Sequence, residues 1–282
     1  MTDRSAFITA LRLLGKAIPS DRLRTAIYLN GIMKPRKFFR KSINTFYRMD
    51  LIYDVISEFK DNYRGDFSIL EFGVADGYSF TKQLYATKYL GMEDRITVHG
   101  FDSFEGMPEA AALKDQDLVS NAGWLKGQYK GDYDSLVDYC EGRYKNYALH
   151  KGYFEQSLTD EVLAEIEKNI PILLWIDCDY YSSAKVIFDR LIPHIPTGCV
   201  VYFDEYEFNF GSRFTGEARI VDEVNRGLFG DGIELVLDTN LSWDSQRVYR
   251  FINSNMQKGY ERVAPVNKVD DLRRRTNDSP LP

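Results

Sequence analysis

The segment from Ile172 to Phe208 constrains the fold more than any other. It opens with ILLWIDCDYY and closes with CVVYFDEYEF. Each half is a short apolar run that stops abruptly at acids, Asp177 and Asp179 in the first and Asp204 and Glu205 in the second. A run of this kind, bounded by polar residues, reads as a strand buried on both faces. Between the runs, SSAKVIFDRLIPHI reads as a helix, N-capped by Ser182 or Ser183 and ending near Pro193 and Gly198. Strand–helix–strand makes the two strands parallel, so both acid clusters emerge at one carboxyl edge. That is the edge where open α/β sheets bind ligands. Carboxylates gathered there repel one another unless a cation or a positively charged ligand sits among them. The cluster therefore reads as a hard-metal site beside a substrate pocket, or as strand-end acids that cap helices and face water.

The flanking chain supplies the rest of such a sheet. Phe67 to Phe72 is a strand, and a helix runs from Ser79 to Leu90; between them lies E-x-G-x-x-x-G, with Glu71, Gly73 and Gly77. Glycines in a strand–loop–helix context let the backbone approach a ligand closely, or simply make a tight turn. The spacing is not G-x-G-x-x-G, and there is no Lys-Ser/Thr pair of a phosphate-cradling loop. Arg95 to Phe101 is a second strand ending at Asp102. An acid there accepts ribose hydroxyls of NAD and of S-adenosylmethionine (SAM) alike. Residues 107–134 are polar and Gly-punctuated, as expected of a lid insertion. Asp134 to Gly142 reads as a short helix, Asn146 to His150 as a third strand, and Thr159 to Asn169 as a helix with Thr159 as N-cap. After the acidic core come a helix over Thr215 to Phe229 and two strands, Ile233 to Asp238 and Gln246 to Ile252, close enough for an antiparallel hairpin. At the N-terminus, Leu11, Leu13, Leu14 and Ala17 form an apolar face for the main domain or another subunit, and Ile43 to Phe59 has helical spacing. The tail from Asn253 reads as polar and loose.

Composition narrows the function classes. A chain of 282 residues, 44% hydrophobic, suits one large α/β domain with additions. Its net charge of −6 leaves no basic field for a nucleic acid. Met33 to Lys41 is the one basic cluster, a solvated face or a contact for an anionic group. Cys140, Cys178 and Cys199 contain no C-x-x-C pair and read as free thiols in a reducing cytoplasm. No run reaches membrane-spanning length. Of the histidines, His99 lies inside a strand as core, His150 ends a strand near the ligand edge, and His194 sits at a helix end.

Five motifs in order carry a resemblance: E-x-G-V-x-x-G at Glu71 to Gly77, D-S-F-E-G-M-P at Asp102 to Pro108, G-Y-F at Gly152 to Phe154, I-D-C-D-Y-Y-S-S at Ile176 to Ser183, and D-E-Y at Asp204 to Tyr206. Together, over Gly65 to Asn225, they resemble the macrocin O-methyltransferase family of SAM- and magnesium-dependent enzymes that methylate sugar hydroxyls in macrolide and aminocoumarin biosynthesis. The resemblance implies an α/β class I SAM-methyltransferase fold, a Rossmann-like seven-stranded sheet with helices on both faces and a C-terminal antiparallel hairpin. It implies that Glu71, Gly73 and Gly77 shape the SAM pocket, that Asp102 holds the ribose hydroxyls, and that Ser103 lies near the adenosine. Tyr153 and Phe154 fall on the adenine side, or are plain core aromatics. Asp177, Asp204 and Glu205 fall on the family's Mg²⁺ ligands, and Asp177 also on its general base; Asp179 supports the site or caps the next helix. The chain departs from the family's D-D-Y at Glu205, one methylene longer, and Mg²⁺ tolerates little deviation from octahedral geometry. It also departs at Ala75-Asp76 in the Gly loop.

The expected organisation is an N-terminal helical extension over 1–60, the methyltransferase domain over 61–255 and a tail over 256–282. The expected function is SAM-dependent O-methylation of a small-molecule or glycan acceptor in the cytoplasm by a homo-oligomer, with no nucleic-acid partner and no membrane span. Three rivals stand beside it. One is a glycosyltransferase that uses Asp177-Cys178-Asp179 as a D-x-D motif for Mn²⁺ and a nucleotide sugar. Another is an NAD-dependent oxidoreductase, disfavoured by the missing G-x-G-x-x-G. The third is a SAM-binding scaffold without catalysis.

Overall fold

The computed structural model describes residues 18, 20–27, 48–110, 113–120, 124–242, 246–255 and 259–263. Among them, seven strands form one sheet: β1 (Phe67–Phe72), β2 (Ile96–Asp102), β3 (Tyr147–Lys151), β4 (Ile170–Ile176), β5 (Val200–Phe203), β6 (Ile233–Leu237) and β7 (Arg247–Asn253). Their order is β3-β2-β1-β4-β5-β7-β6. β7 runs antiparallel to both its neighbours, and every other pairing is parallel. The chain leaves β1 in one direction to build β2 and β3, then returns to β4 on β1's other side. The gap beyond β1 and β4 is thus the topological switch point.

Among the described residues, the helices longer than one turn are α1 (Asp21–Ile27), α2 (Met49–Asn62), α3 (Tyr78–Tyr89), α4 (Tyr133–Cys140), α5 (Asp160–Ile166), α6 (Tyr181–Leu191) and α7 (Gly216–Asn225). Strand periodicity divides the core. Ile69, Trp175 and Tyr202 face one cluster with Ile52, Val55 and Phe59 of α2 and Phe80 and Leu84 of α3. Leu70, Ile176 and Phe203 face the other, with Ile166 of α5, Ile187 and Phe188 of α6 and Ile220 and Val224 of α7. The two-faced demand explains why β1 and β4 read as continuous apolar runs. Each fully buried Leu, Ile or Phe contributes about 1.5–3 kcal/mol. The fold and the final hairpin agree with the sequence reading.

Four local expectations change. Neither Ser182 nor Ser183 caps α6, which starts at Tyr181. The Ser182 N–H instead donates to Asp115 Oδ1, 2.9 Å away, in the 107–134 insertion. The stretch after β3 is not all loop, since Phe154–Ser157 makes one helical turn. Asn62 to Gly65, read as a plain turn, contains Tyr63–Arg64, which pairs antiparallel with Glu261–Arg262. The tail is therefore not loose throughout: Tyr260 packs against Phe59 and Tyr63 and donates its hydroxyl to Pro171 O at 2.5 Å. The apolar N-terminal face and the basic run from Met33 to Lys41 lie outside the described residues. No helix among the described residues is long and apolar enough to cross a membrane.

Candidate active site

A cavity of about 840 Å³ opens at the carboxyl edge of the sheet, over the switch point. On the β2–β3 side it is lined by Asp102, Ser103, Tyr153 and Phe154, and on the β4–β5 side by Asp177, Asp179, Asp204 and Glu205, with Gly73 between. Of the cofactor, metal and catalytic candidates named from the sequence, Glu71 and Gly77 do not line it, and neither does His150.

Glu71 acts from behind the cavity wall. It is fully buried, and its Oε1 accepts the Ser79 hydroxyl at 2.5 Å while Oε2 accepts Gln83 Nε2–H at 2.7 Å. Burial pushes its carboxyl up to about 8, with Asp102 adding to the rise and the Ser79 and Gln83 bonds opposing it. Ser79 does line the cavity. Gly77, at φ 75°, starts α3, and a Cβ there would fall 2.4 Å from Leu136 Cδ1. Gly73, at φ 97°, lies so close to β4's end that a Cβ would fall 1.8 Å from the Asp177 carbonyl oxygen. Both glycines are thus fixed by packing of the protein against itself.

Asp102 ties the loops together. Its Oδ2 accepts the Val74 and Ala75 N–H groups, each at 2.8 Å, and its Oδ1 accepts Phe104 N–H at 2.6 Å. A carboxylate has about four acceptor positions, so capacity remains for a hydroxyl from the cavity. The Ser103 hydroxyl accepts Glu105 N–H at 3.1 Å and donates to Gly106 O at 3.4 Å, shaping the next turn. Phe154 packs edge-on against Phe72, with centroids 5.6 Å apart. The Tyr153 hydroxyl reaches Glu105 Oε2 at 3.4 Å.

The acid half is electrostatically loaded. Burial, then Asp204, Asp179 and Glu71, holds the Asp177 carboxyl well above the usual carboxylate range. Burial with Glu205 and Asp204 raises Asp179 to about 7, and burial with Asp204 raises Glu205. Asp179 adopts φ 60°, a left-handed conformation that Asp tolerates better than most residues. Glu217, the second residue of α7, was invisible in the sequence because it resembles any helix acid. It is buried, and its Oε2 accepts Glu205 N–H at 3.1 Å while Oε1 has no partner. Burial first, then Asp179, raises its carboxyl far above normal. Arg48 is the one Lys or Arg among the described residues lining the cavity.

The donor set has the right chemistry for Mg²⁺. It is all hard carboxylate oxygen, with a buried carboxylate oxygen lacking a partner beside it. Among the described residues, no group of three His, Cys, Asp or Glu side chains stands at metal-holding spacing.

Other residues at the acid edge also escaped the sequence reading. Trp175 and Tyr202 each precede an acid by two residues, and W-x-D and Y-x-D on adjacent strands were the available signal. Gln246 donates to Asp204 Oδ1 at 2.7 Å. Among the histidines, His99 is core as expected, its Nδ1 3.0 Å from His150 Nε2. Burial and then His150 lower His99 to about 4, so it is neutral near pH 7.

A family model described as a methyltransferase domain matches residues 70–206. No curated protein sequence matches the chain. Among solved structures, the chain is similar to CalS11, a calicheamicin methyltransferase, with 20% identity, a TM-score of 0.56, and 88% of this chain and 91% of that chain covered. It is similar to the O-methyltransferase NovP at 18% identity and a TM-score of 0.57, covering 82% and 99%. An apo structure of CalS11, titled a TDP-rhamnose 3′-O-methyltransferase of calicheamicin biosynthesis, matches at 16% identity and a TM-score of 0.50, covering 89% and 95%. A methyltransferase domain thus spans the sheet's parallel half, with the cavity at its switch point, and the chain has the class I SAM-methyltransferase fold.

Proposed function

We propose that the enzyme transfers the SAM methyl group to a hydroxyl of a sugar or sugar-containing acceptor, with Mg²⁺ held by Asp177, Asp204 and Glu205. The observation that carries this reading is that one cavity joins the Asp102 end to the carboxylate end across the switch point. The printed descriptions of NovP as an O-methyltransferase and of CalS11 as a TDP-rhamnose 3′-O-methyltransferase support the acceptor class.

When bound, SAM supplies an electrophilic methyl on a sulfonium, and Mg²⁺ lowers the pKa of a nearby hydroxyl. The chain's residues do the remainder. Asp102 accepts a ribose hydroxyl with the lone pair that the loop amides leave. Gly73 and Ser79 shape the wall between the two halves, with Glu71 fixing Ser79. Asp177 takes the proton of the acceptor hydroxyl. Methyl transfer needs little other acid–base chemistry, so alignment of the hydroxyl supplies much of the rate.

Calorimetry of SAM and S-adenosylhomocysteine, with Mg²⁺ and with a chelator, tests the first half. Binding of both without metal is expected; binding of neither overturns the reading. Turnover on a sugar acceptor tests the second. Asp177→Asn should keep SAM binding and lose methylation, and a folded, SAM-binding variant working at the wild-type rate would sink Asp177 as the base.

A further inference from the structure

Trp175 and Tyr202 stand side by side at the ends of β4 and β5, paired in register, with ring centroids 4.0 Å apart. Alternation along a strand places each on the same face as the acid two residues onward. Each ring carries one polar handle, and each handle reaches that acid. The Tyr202 hydroxyl donates to Asp204 Oδ1, and Trp175 Nε1–H donates to Asp177 Oδ2 at 3.5 Å. Gln246 Nε2–H donates to the same Asp204 oxygen as Tyr202 does, at 2.7 Å. The Arg48 guanidinium lies 5.6 Å over the Tyr202 ring, tied to Leu241 O at 2.6 Å. Trp175 is 1% exposed and Tyr202 0%, so neither ring has room to swing.

We propose that Trp175 and Tyr202 are positioning residues that each engage one oxygen of the adjacent acid and so fix which oxygen of Asp177 and Asp204 is offered to the divalent cation. The inference rests on the Mg²⁺ reading above. With two donors on Asp204 Oδ1, Oδ2 is the oxygen left to a cation that Asp204 would hold. A freely rotating carboxylate would instead sample both oxygens, at a cost in ordering when the cation binds.

The test is Mn²⁺ binding, followed by electron paramagnetic resonance on the full chain with S-adenosylhomocysteine bound. Tyr202→Phe keeps the ring and removes only the O–H. It should weaken Mn²⁺ about tenfold or more, the range seen for partners that orient metal ligands, and leave the affinity for S-adenosylhomocysteine unchanged. Trp175→Phe should act in the same direction but less, because its bond is long. Gln246→Leu removes the other donor to Asp204 Oδ1 without touching the buried ring pair, and should also weaken Mn²⁺ even if Tyr202→Phe fails to fold. Wild-type Mn²⁺ affinity in the folded variants overturns the proposal while the metal reading stands. If the unmodified chain binds no Mn²⁺, the metal reading fails and the proposal falls with it.

Discussion

The Ser79 hydroxyl and the Glu71 carboxyl meet at 2.5 Å, joining a residue that lines the cavity to one that water cannot reach. Glu71 carries a folded-state pKa of about 8 against an ordinary 4.5. Between those values the folded chain keeps a proton that the unfolded chain has lost, so stability falls as pH rises through that window and levels off above it. The slope is about 1.4 kcal/mol per pH unit at most. Glu71→Gln keeps an oxygen for the Ser79 hydroxyl and removes the titration. Urea unfolding from pH 5 to 8.5 should show the wild type losing stability relative to this variant as pH rises. Parallel curves would mean that Glu71 is ionised in the folded protein.

Gly73 should be intolerant of any side chain. An Ala there needs an unfavourable φ of 97° and places its Cβ 1.8 Å from the Asp177 carbonyl oxygen, a backbone atom that cannot step aside. The expected loss is about 3 kcal/mol or more, combining overpacking with left-handed strain. Gly142→Ala is the matched control, since it has φ 70° but nothing within 4 Å of its Cβ, and should cost only about 1 kcal/mol. Thermal unfolding of both variants checks the contrast.

The strands were legible because parallel pairing demands apolar runs on both faces, and because each run stopped where the chain left the sheet. That placed Asp102, Asp177 and Asp204 at one edge from the sequence alone. What was hidden depends on contacts made at long sequence separation. Arg48 meets Leu241 across 193 residues, and Asp115 meets Ser182 across 67. Ser182 and Ser183 had the composition of a local cap, but a distant carboxylate took that place. Tyr260 sat in a polar stretch, and only its fit among Phe59, Tyr63 and Phe67 reveals that it packs on the core.

Asp102 should matter to SAM affinity through the loop as much as through the ribose. Asp102→Ala removes the acceptor for the Val74, Ala75 and Phe104 amides together. A hydrogen bond to a charged group contributes about 1.5–3 kcal/mol, so even partial loss should cost about 2 kcal/mol of binding, roughly 30-fold in Kd. Asp102→Asn keeps one acceptor oxygen and should fall between. Calorimetric titration with SAM separates the three proteins. Equal affinities would remove Asp102 from the cofactor site.

The 107–134 insertion should be coupled to the acid edge through Asp115. This carboxylate is buried, and it supplies the N-terminal cap of α6 from outside the helix, three residues beyond Asp179. Trp124 adds a second attachment. Its ring packs on Tyr180 at 5.6 Å and Phe208 at 4.7 Å, and its carbonyl accepts the Tyr180 hydroxyl at 3.3 Å. Losing a cap costs about 0.5–2 kcal/mol, and the low end is expected here because Asp115 Oδ2 is buried without a partner and its removal relieves that penalty. Asp115→Ala should therefore unfold only slightly more easily, yet amide hydrogen exchange should speed up together in residues 113–120 and in the first turn of α6. Faster exchange in the insertion with no change at Ser182 would show that the two elements open independently.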